Sequence, residues 1–161
     1  MAKKEKELKT NVMRLLEQAG VDYNHYCYAD TDAISGVEVA AAMNQPVEMV
    51  FKTLVTQAAS KQYYVFVIPV AEELDLKKAA SAVGEKSIAM LKQKDLLPLT
   101  GYIHGGCSPI GMKKVFTTTF HESLNDLEKV IFSAGKIGYQ VELKPEDISK
   151  IVQYKTADII K

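Results

Sequence analysis

Apolar residues recur at Leu8, Val12, Leu15, Leu16 and Ala19 between lysines and glutamates. That is the spacing of one helical face, and it predicts a helix over Lys4–Ala19 stopped by Gly20. The pattern then shortens: Val21–Tyr28 (VDYNHYCY) is aromatic at strand spacing. Ser35-x-x-Glu38 ahead of VAAAM is a capping-box signature, so a second helix starts at Gly36 and ends at Asn44–Pro46. Two alternating runs follow, Phe51–Thr56 and residues 63–68, with a turn at Ser60–Gln62 that makes them a hairpin. Asp75 caps a helix over LKKAASAV that Gly84 closes, Ser87–Leu91 is a short strand, and KQKDLLPLT gives a helical turn or two broken at Pro98.

Beyond Thr100 the periodicity gives way to Thr100–Lys114, TGYIHGGCSPIGMKK, which reads as a short strand, a glycine pair, a Ser-Pro turn and a basic exit. VFTTTF is a β-branched strand, Ser123–Glu128 a helical turn, and Val130–Phe132 a strand leading into a second small-residue loop, SAGKIG. Tyr139–Leu143 alternates again, Pro145 opens a short helix through Val152, and Ala157–Ile160 adds a last strand. Hairpin-linked strands mixed with helix-separated ones predict a mixed α/β fold, a curled mixed β-sheet or barrel flanked by helices. A length of 161 residues predicts a single domain over 1–161.

Composition removes several classes of function. Lysine plus arginine equals aspartate plus glutamate, 20 against 20, so no global basic field exists to capture nucleic acid; any RNA contact is local or shared with a partner. The longest apolar run, Tyr63–Val70, has eight residues, and MAKKEKELK is followed by no apolar stretch, so neither a membrane span nor a secretory leader is expected and the expected location is cytoplasmic. Cys27 and Cys107 are too far apart for a CxxC or zinc motif, and His25, His104 and His121 lack ligand spacing. No P-loop, dinucleotide fingerprint, zinc-protease or nucleophile-elbow motif occurs.

The remaining chemistry lies in the central loop. Gly105 and Gly106 let the backbone approach a ligand, Pro109 stiffens Ser108, and free N–H groups beside Lys113 and Lys114 suit an anion or a developing oxyanion. A tight β-turn between two strands fits the same residues. Lys52, opening an apolar strand, reads either as an edge residue that blocks aggregation or as an ammonium aimed into a pocket, and the pattern leaves both open. Tyr23, Tyr26 and Tyr28 pack a sheet face or stack on a base.

At FKTLV (Phe51–Val55), LDLKKAA (Leu74–Ala80), GYIHGGCSPIGMKK and SAGKIGYQVEL (Ser133–Leu143) the chain closely resembles the bacterial YbaK/EbsC family. Its best-known members are Cys-tRNA(Pro) deacylases related to the editing domain of bacterial prolyl-tRNA synthetases. The resemblance runs in order from about Asn11 to Ile160. It implies the same curled sheet with helices, no metal or cofactor, and a mischarged tRNA substrate with prolyl-tRNA synthetase as partner, without DNA or membrane.

By the same resemblance, Lys52 is the family's essential lysine at the tRNA 3′ end, Tyr28 lies beside the substrate, and the backbone of Gly105 and Gly106 approaches the aminoacyl ester. Ser133 contacts the aminoacyl group, Ser108 stiffens the wall, and Thr53 is a further neighbour. Lys52, Gly105 and Ser133 are the implied catalytic set; Tyr28, Thr53, Gly106 and Ser108 bind substrate. Relatives are described as using the substrate's own thiol, so no enzyme nucleophile is implied and Cys107 reads as a structural thiol. One departure is Ala134-Gly135 where a glycine pair can stand in relatives; its extra methyl is expected to tighten the pocket. Two alternatives stay beside Cys-tRNA editing: a deacylase for another small residue such as alanine, and a non-catalytic module for nucleotides or tRNA ends, against which Lys52 argues.

Overall fold

A computed structural model describes residues 9–161; the part of the predicted first helix before residue 9 lies outside them. Helix α1 spans Asn11–Gln18. It starts later than the periodicity predicts because Thr10 adopts extended backbone and its hydroxyl accepts from the Met13 N–H. At its other end Gly20 N–H donates to Glu17 O (3.1 Å) and Val21 N–H to Leu16 O (2.9 Å), the crossed pair that closes a helix over a glycine. Val12, Met13 and Leu16 face the core.

Among the described residues, eight strands form two sheets. Strands β1 (Asn24–Cys27), β6 (Val130–Ser133) and β7 (Tyr139–Leu143) make an antiparallel sheet in the order β1-β7-β6. The other sheet runs β4-β2-β3-β5-β8, with β2 at Phe51–Ala58, β3 at Tyr63–Pro69, β4 at Ile88–Met90, β5 at Thr117–His121 and β8 at Lys155–Ala157. The β2–β3 hairpin and the β2–β4 pair are antiparallel, whereas β3–β5 and β5–β8 are parallel. The mixed α/β class expected from the sequence is present. Its curled sheet takes the form of two sheets connected by the parallel bridge Val50–Ile131 and not of a closed barrel.

The two sheets meet over aromatic rings. Phe120 of β5 lies 6.4 Å from Phe51 of β2, 6.4 Å from Phe132 of β6 and 5.0 Å from Tyr154, measured between ring centroids. These separations suit tilted and edge-to-face packing. The first turns of α1 close this core from one end. Helix α3 (Leu76–Val83), capped by Asp75 and closed by Gly84 as its sequence predicts, covers the other face of the larger sheet through Ala79 and Ala80 against Phe66 and Ile68. Helix α2 (Gly36–Ala42) has both halves of its capping box and packs Ala40 onto Val50, Val70 and Ile131, directly over the bridge between the sheets.

Four local expectations change. Strand β1 is four residues long, shorter than Val21–Tyr28. Helix α4 (Gln93–Thr100) runs through Pro98 instead of breaking there. Thr100 supports its end by donating from Oγ1 to Leu96 O at 2.8 Å, then accepts from the Tyr102 N–H at 3.0 Å and so turns the chain out of the helix. That turn removes the short strand expected at the start of the central loop: residues 101–116 are irregular. The last strand is Lys155–Ala157, because Ile159 N–H is directed at His121 Nδ1 (3.4 Å) and Ile160 forms only a bridge with Leu74. Among the described residues, no helix is long and apolar enough to cross a membrane.

Candidate active site

A cavity of about 270 Å³ lies between β2, the start of α2, the loop after α4 and the paired strands β6 and β7. Its position follows from the bridge: α2 packs on Val50 and Ile131, and the capping box turns Ser35 and Gly36 to the cavity's side. The approach there is close, since a Cβ on Gly36 would stand 2.5 Å from Val70 Cγ1. Only hydrogen fits.

Lys52 lines the cavity. It sits on β2 opposite Ile68 of β3, beyond the β4 ladder, which pairs only with Thr56–Ala58. Its neighbour Thr53 also lines the cavity, with an Oγ1 that is buried and has no hydrogen-bond partner among the described residues. Tyr28 is held by its N–H, which donates to Gly138 O at 2.7 Å in the second loop. Ser133, at the end of β6, accepts from the Gly135 N–H at 3.1 Å, leaving its own hydroxyl hydrogen free to donate.

The two small-residue loops come together at this point. Gly105 lines the cavity at φ 89°, a left-handed conformation that favours glycine. Gly106 stands behind it against backbone: a Cβ there would lie 3.0 Å from Ile137 N. Tyr102 fastens the arrangement, donating its hydroxyl to Ile110 O while its ring edge packs against Gly135. Burial raises that phenol to about 12, so it stays a donor. Ser108 is fully buried and its Oγ accepts from the Ile110 N–H at 3.2 Å, which stiffens the loop from inside. Five of the seven residues singled out from the sequence, Tyr28, Lys52, Thr53, Gly105 and Ser133, therefore share one wall system. Gly106 and Ser108 support it without lining it.

Two further expectations shift. Lys113 and Lys114 are not among the lining residues. Lys113 instead lays its chain over Gly101 and donates to Pro98 O at 3.4 Å. The Ala134 methyl is buried in the main core, so it does not narrow the cavity.

The cavity also includes residues the sequence did not single out as site residues: His104, Leu96 and Gln140. Gln140 is opposite Ser133 across β6–β7 and accepts from Gln45 Nε2 at 2.9 Å. The alternation of Tyr139–Leu143 marked it as a polar position; nothing local marked it as buried.

Cys107 reaches the cavity wall, but burial pushes its thiol up to about 12 and keeps it protonated near neutral pH. No hydrogen bond links it to His104 among the described residues, and Cys27 is the exposed thiol. In the native protein near pH 8, a thiol reagent is therefore expected to modify Cys27 quickly and Cys107 only after denaturant is added. Two fast-reacting thiols in mass spectrometry of the native protein would contradict this burial argument.

Comparison with known proteins bears on the family and the fold. The model of the aminoacyl-tRNA editing domain family matches residues 31–151. The chain is 47% identical over 160 residues, 99% of its length and 98% of the relative's, to an Enterococcus faecalis protein named "Putative Cys-tRNA(Pro)/Cys-tRNA(Cys) deacylase EbsC". A solved structure described as "a putative trans-editing enzyme for prolyl tRNA synthetase" superposes with a TM-score of 0.80 at 22% identity, covering 96% of this chain and 99% of the other. The structure of hypothetical protein APE2540 gives 0.82 at 20% identity, covering 93% and 99%. At such identities the two structures bear on the fold alone, and the sequence matches carry the relationship. The chain belongs to the aminoacyl-tRNA editing domain family, among its YbaK/EbsC members.

Proposed function

We propose that this protein is a trans-editing deacylase that releases cysteine from mischarged Cys-tRNA(Pro), and also accepts Cys-tRNA(Cys). One observation carries the chemistry: a lysine ammonium, a free backbone turn at Gly105 and the Ser133 hydroxyl surround a cavity whose one thiol is held protonated. Such a wall orients an ester and stabilises charge, and it has no evident nucleophile of its own.

The substrate supplies the missing group. The cysteinyl sulfur attacks its own carbonyl carbon, forming a C–S bond and a cyclic thiolactone. The ester C–O bond breaks, and the thiol's proton ends on the departing 3′ oxygen of the tRNA. Lys52 stabilises negative charge at the 3′ end, the Gly105 backbone and Ser133 orient the carbonyl, and Tyr28 and Thr53 hold the adjoining part of the substrate. Gly106 and Ser108 keep this wall in place.

A second site of this kind is useful because cysteine and proline are close in size, and one methylene in an apolar pocket separates substrates by only about 1–3 kcal/mol. The balanced charge of 20 basic and 20 acidic residues favours a division of labour in which prolyl-tRNA synthetase holds the tRNA body.

Cys-tRNA(Pro), Ser-tRNA(Pro) and Ala-tRNA(Pro) test the reading side by side. Cysteine alone is expected to be released. Serine or alanine released at a similar rate would remove the thiol from the mechanism. No release from any of the three would leave a binding module as the better account.

A further inference from the structure

The charge and hydrogen-bonding pattern of the cavity also bear on the form in which the aminoacyl group enters, on the reading that this site edits Cys-tRNA. No aspartate or glutamate is among the described residues lining it; its titratable side chains are Tyr28, Lys52, His104 and Cys107. The nearby carboxylate of Glu38 is tied down in the capping box, accepting from the Ile34 and Ser35 N–H groups at 3.0 Å each. Gln140 is 5% exposed, and Gln45 Nε2 donates to its Oε1 at 2.9 Å. Its carbonyl oxygen is thus engaged, while its amide N–H2 makes no hydrogen bond with the described residues. Gln140 lines the cavity and its amide nitrogen is not among the fully buried unpaired atoms, so this donor is open to a ligand that brings a lone pair.

An α-ammonium brings the opposite: a positive charge and three donors, facing Lys52 with no carboxylate to balance them. An uncharged α-amine carries a lone pair. We propose that the cavity takes the aminoacyl group with its α-nitrogen uncharged and accepting a hydrogen bond from the Gln140 amide, which Gln45 holds in orientation. Gln140 is then a specificity-determining residue for the α-substituent, and a neutral oxygen serves in place of the nitrogen.

The test compares Cys-tRNA(Pro) with its α-hydroxy counterpart, in which –OH replaces –NH2 and the thiol and ester are unchanged. An α-amino group titrates at about 7.7–8.0 in a peptide, so near pH 6 the amino ester is mostly ammonium. The ratio of kcat/KM for the hydroxy ester to that for the amino ester is expected to rise by about 30–50-fold between pH 8 and pH 6. A ratio that stays flat or falls would overturn the proposal while leaving the editing function standing. Cleavage of neither ester would remove both.

Gln140→Glu gives a second measurement. One glutamate oxygen still accepts from Gln45, and the other presents a carboxylate to the cavity. The same ratio near pH 6 is then expected to shift towards the amino ester by about tenfold. Because it is a ratio, a general loss of folded protein does not move it, and an unchanged value would remove Gln140 from the assignment.

Discussion

Lys52→Ala is expected to lower kcat/KM for Cys-tRNA(Pro) by about 10²–10³-fold, the usual consequence of deleting one preorganised charge stabiliser. Its thermal midpoint is expected to stay within about 4 °C of the native value, since about 1 kcal/mol moves a domain of this size by 2–4 °C. The asymmetry comes from position. Lys52 occupies a strand whose Phe51 and Val55 pack into the main core, and its own side chain lines the cavity. Removing it takes away a basic side chain of the described lining and opens no hole in the core. Steady-state kinetics beside a melting curve separates the two effects. Activity within threefold of native would end the assignment of this cavity as the reaction site, and a large drop in midpoint would make the lysine structural.

Gly106→Ala is expected to cost both activity and stability. The added methyl would meet the Ile137 nitrogen at 3.0 Å and the Lys136 carbonyl carbon at 3.3 Å, and neither is the end of a flexible side chain. One loop must move away from the other. Overpacking of this kind costs about 1–3 kcal/mol, and displacement of the Gly105 turn by about 1 Å costs on the order of 10²-fold in rate. Melting curves with kinetics on the same preparation check both numbers. Full activity in a destabilised variant would show that the loop contact serves folding alone.

The caps were legible because their chemistry is local. Ser35 with Glu38 and Asp75 with Gly84 lie three and nine residues apart, and each stands where the sequence placed it. The hairpin was legible for the same reason. Pro98 misled because its cost is one hydrogen bond near the end of a short helix, which the Thr100 hydroxyl and the next turn offset. The central loop misled because its glycines are fitted to a partner about thirty residues away, the backbone at Lys136 and Ile137, and sequence shows a glycine but not what it touches. The site divides along the same line. Lys52, Gly105 and Ser133 came from family resemblance; Gln140 and Gln45, polar residues on separate elements, became a pair only when the sheet packed against the turn after α2.

The two parallel ladders have a kinetic consequence. Val65 pairs with Thr118 and Phe120 with Thr156, so each closes a long stretch of chain before its contacts form. Contacts of that separation slow folding, whereas the β2–β3 hairpin beside Lys52 closes locally. The opposite wall, Ser133 with Gln140, belongs to the other sheet and meets Lys52 only when the sheets dock. During refolding from denaturant, secondary structure is therefore expected to return before deacylation does. Recovery of catalysis together with the first change in ellipticity would contradict that order.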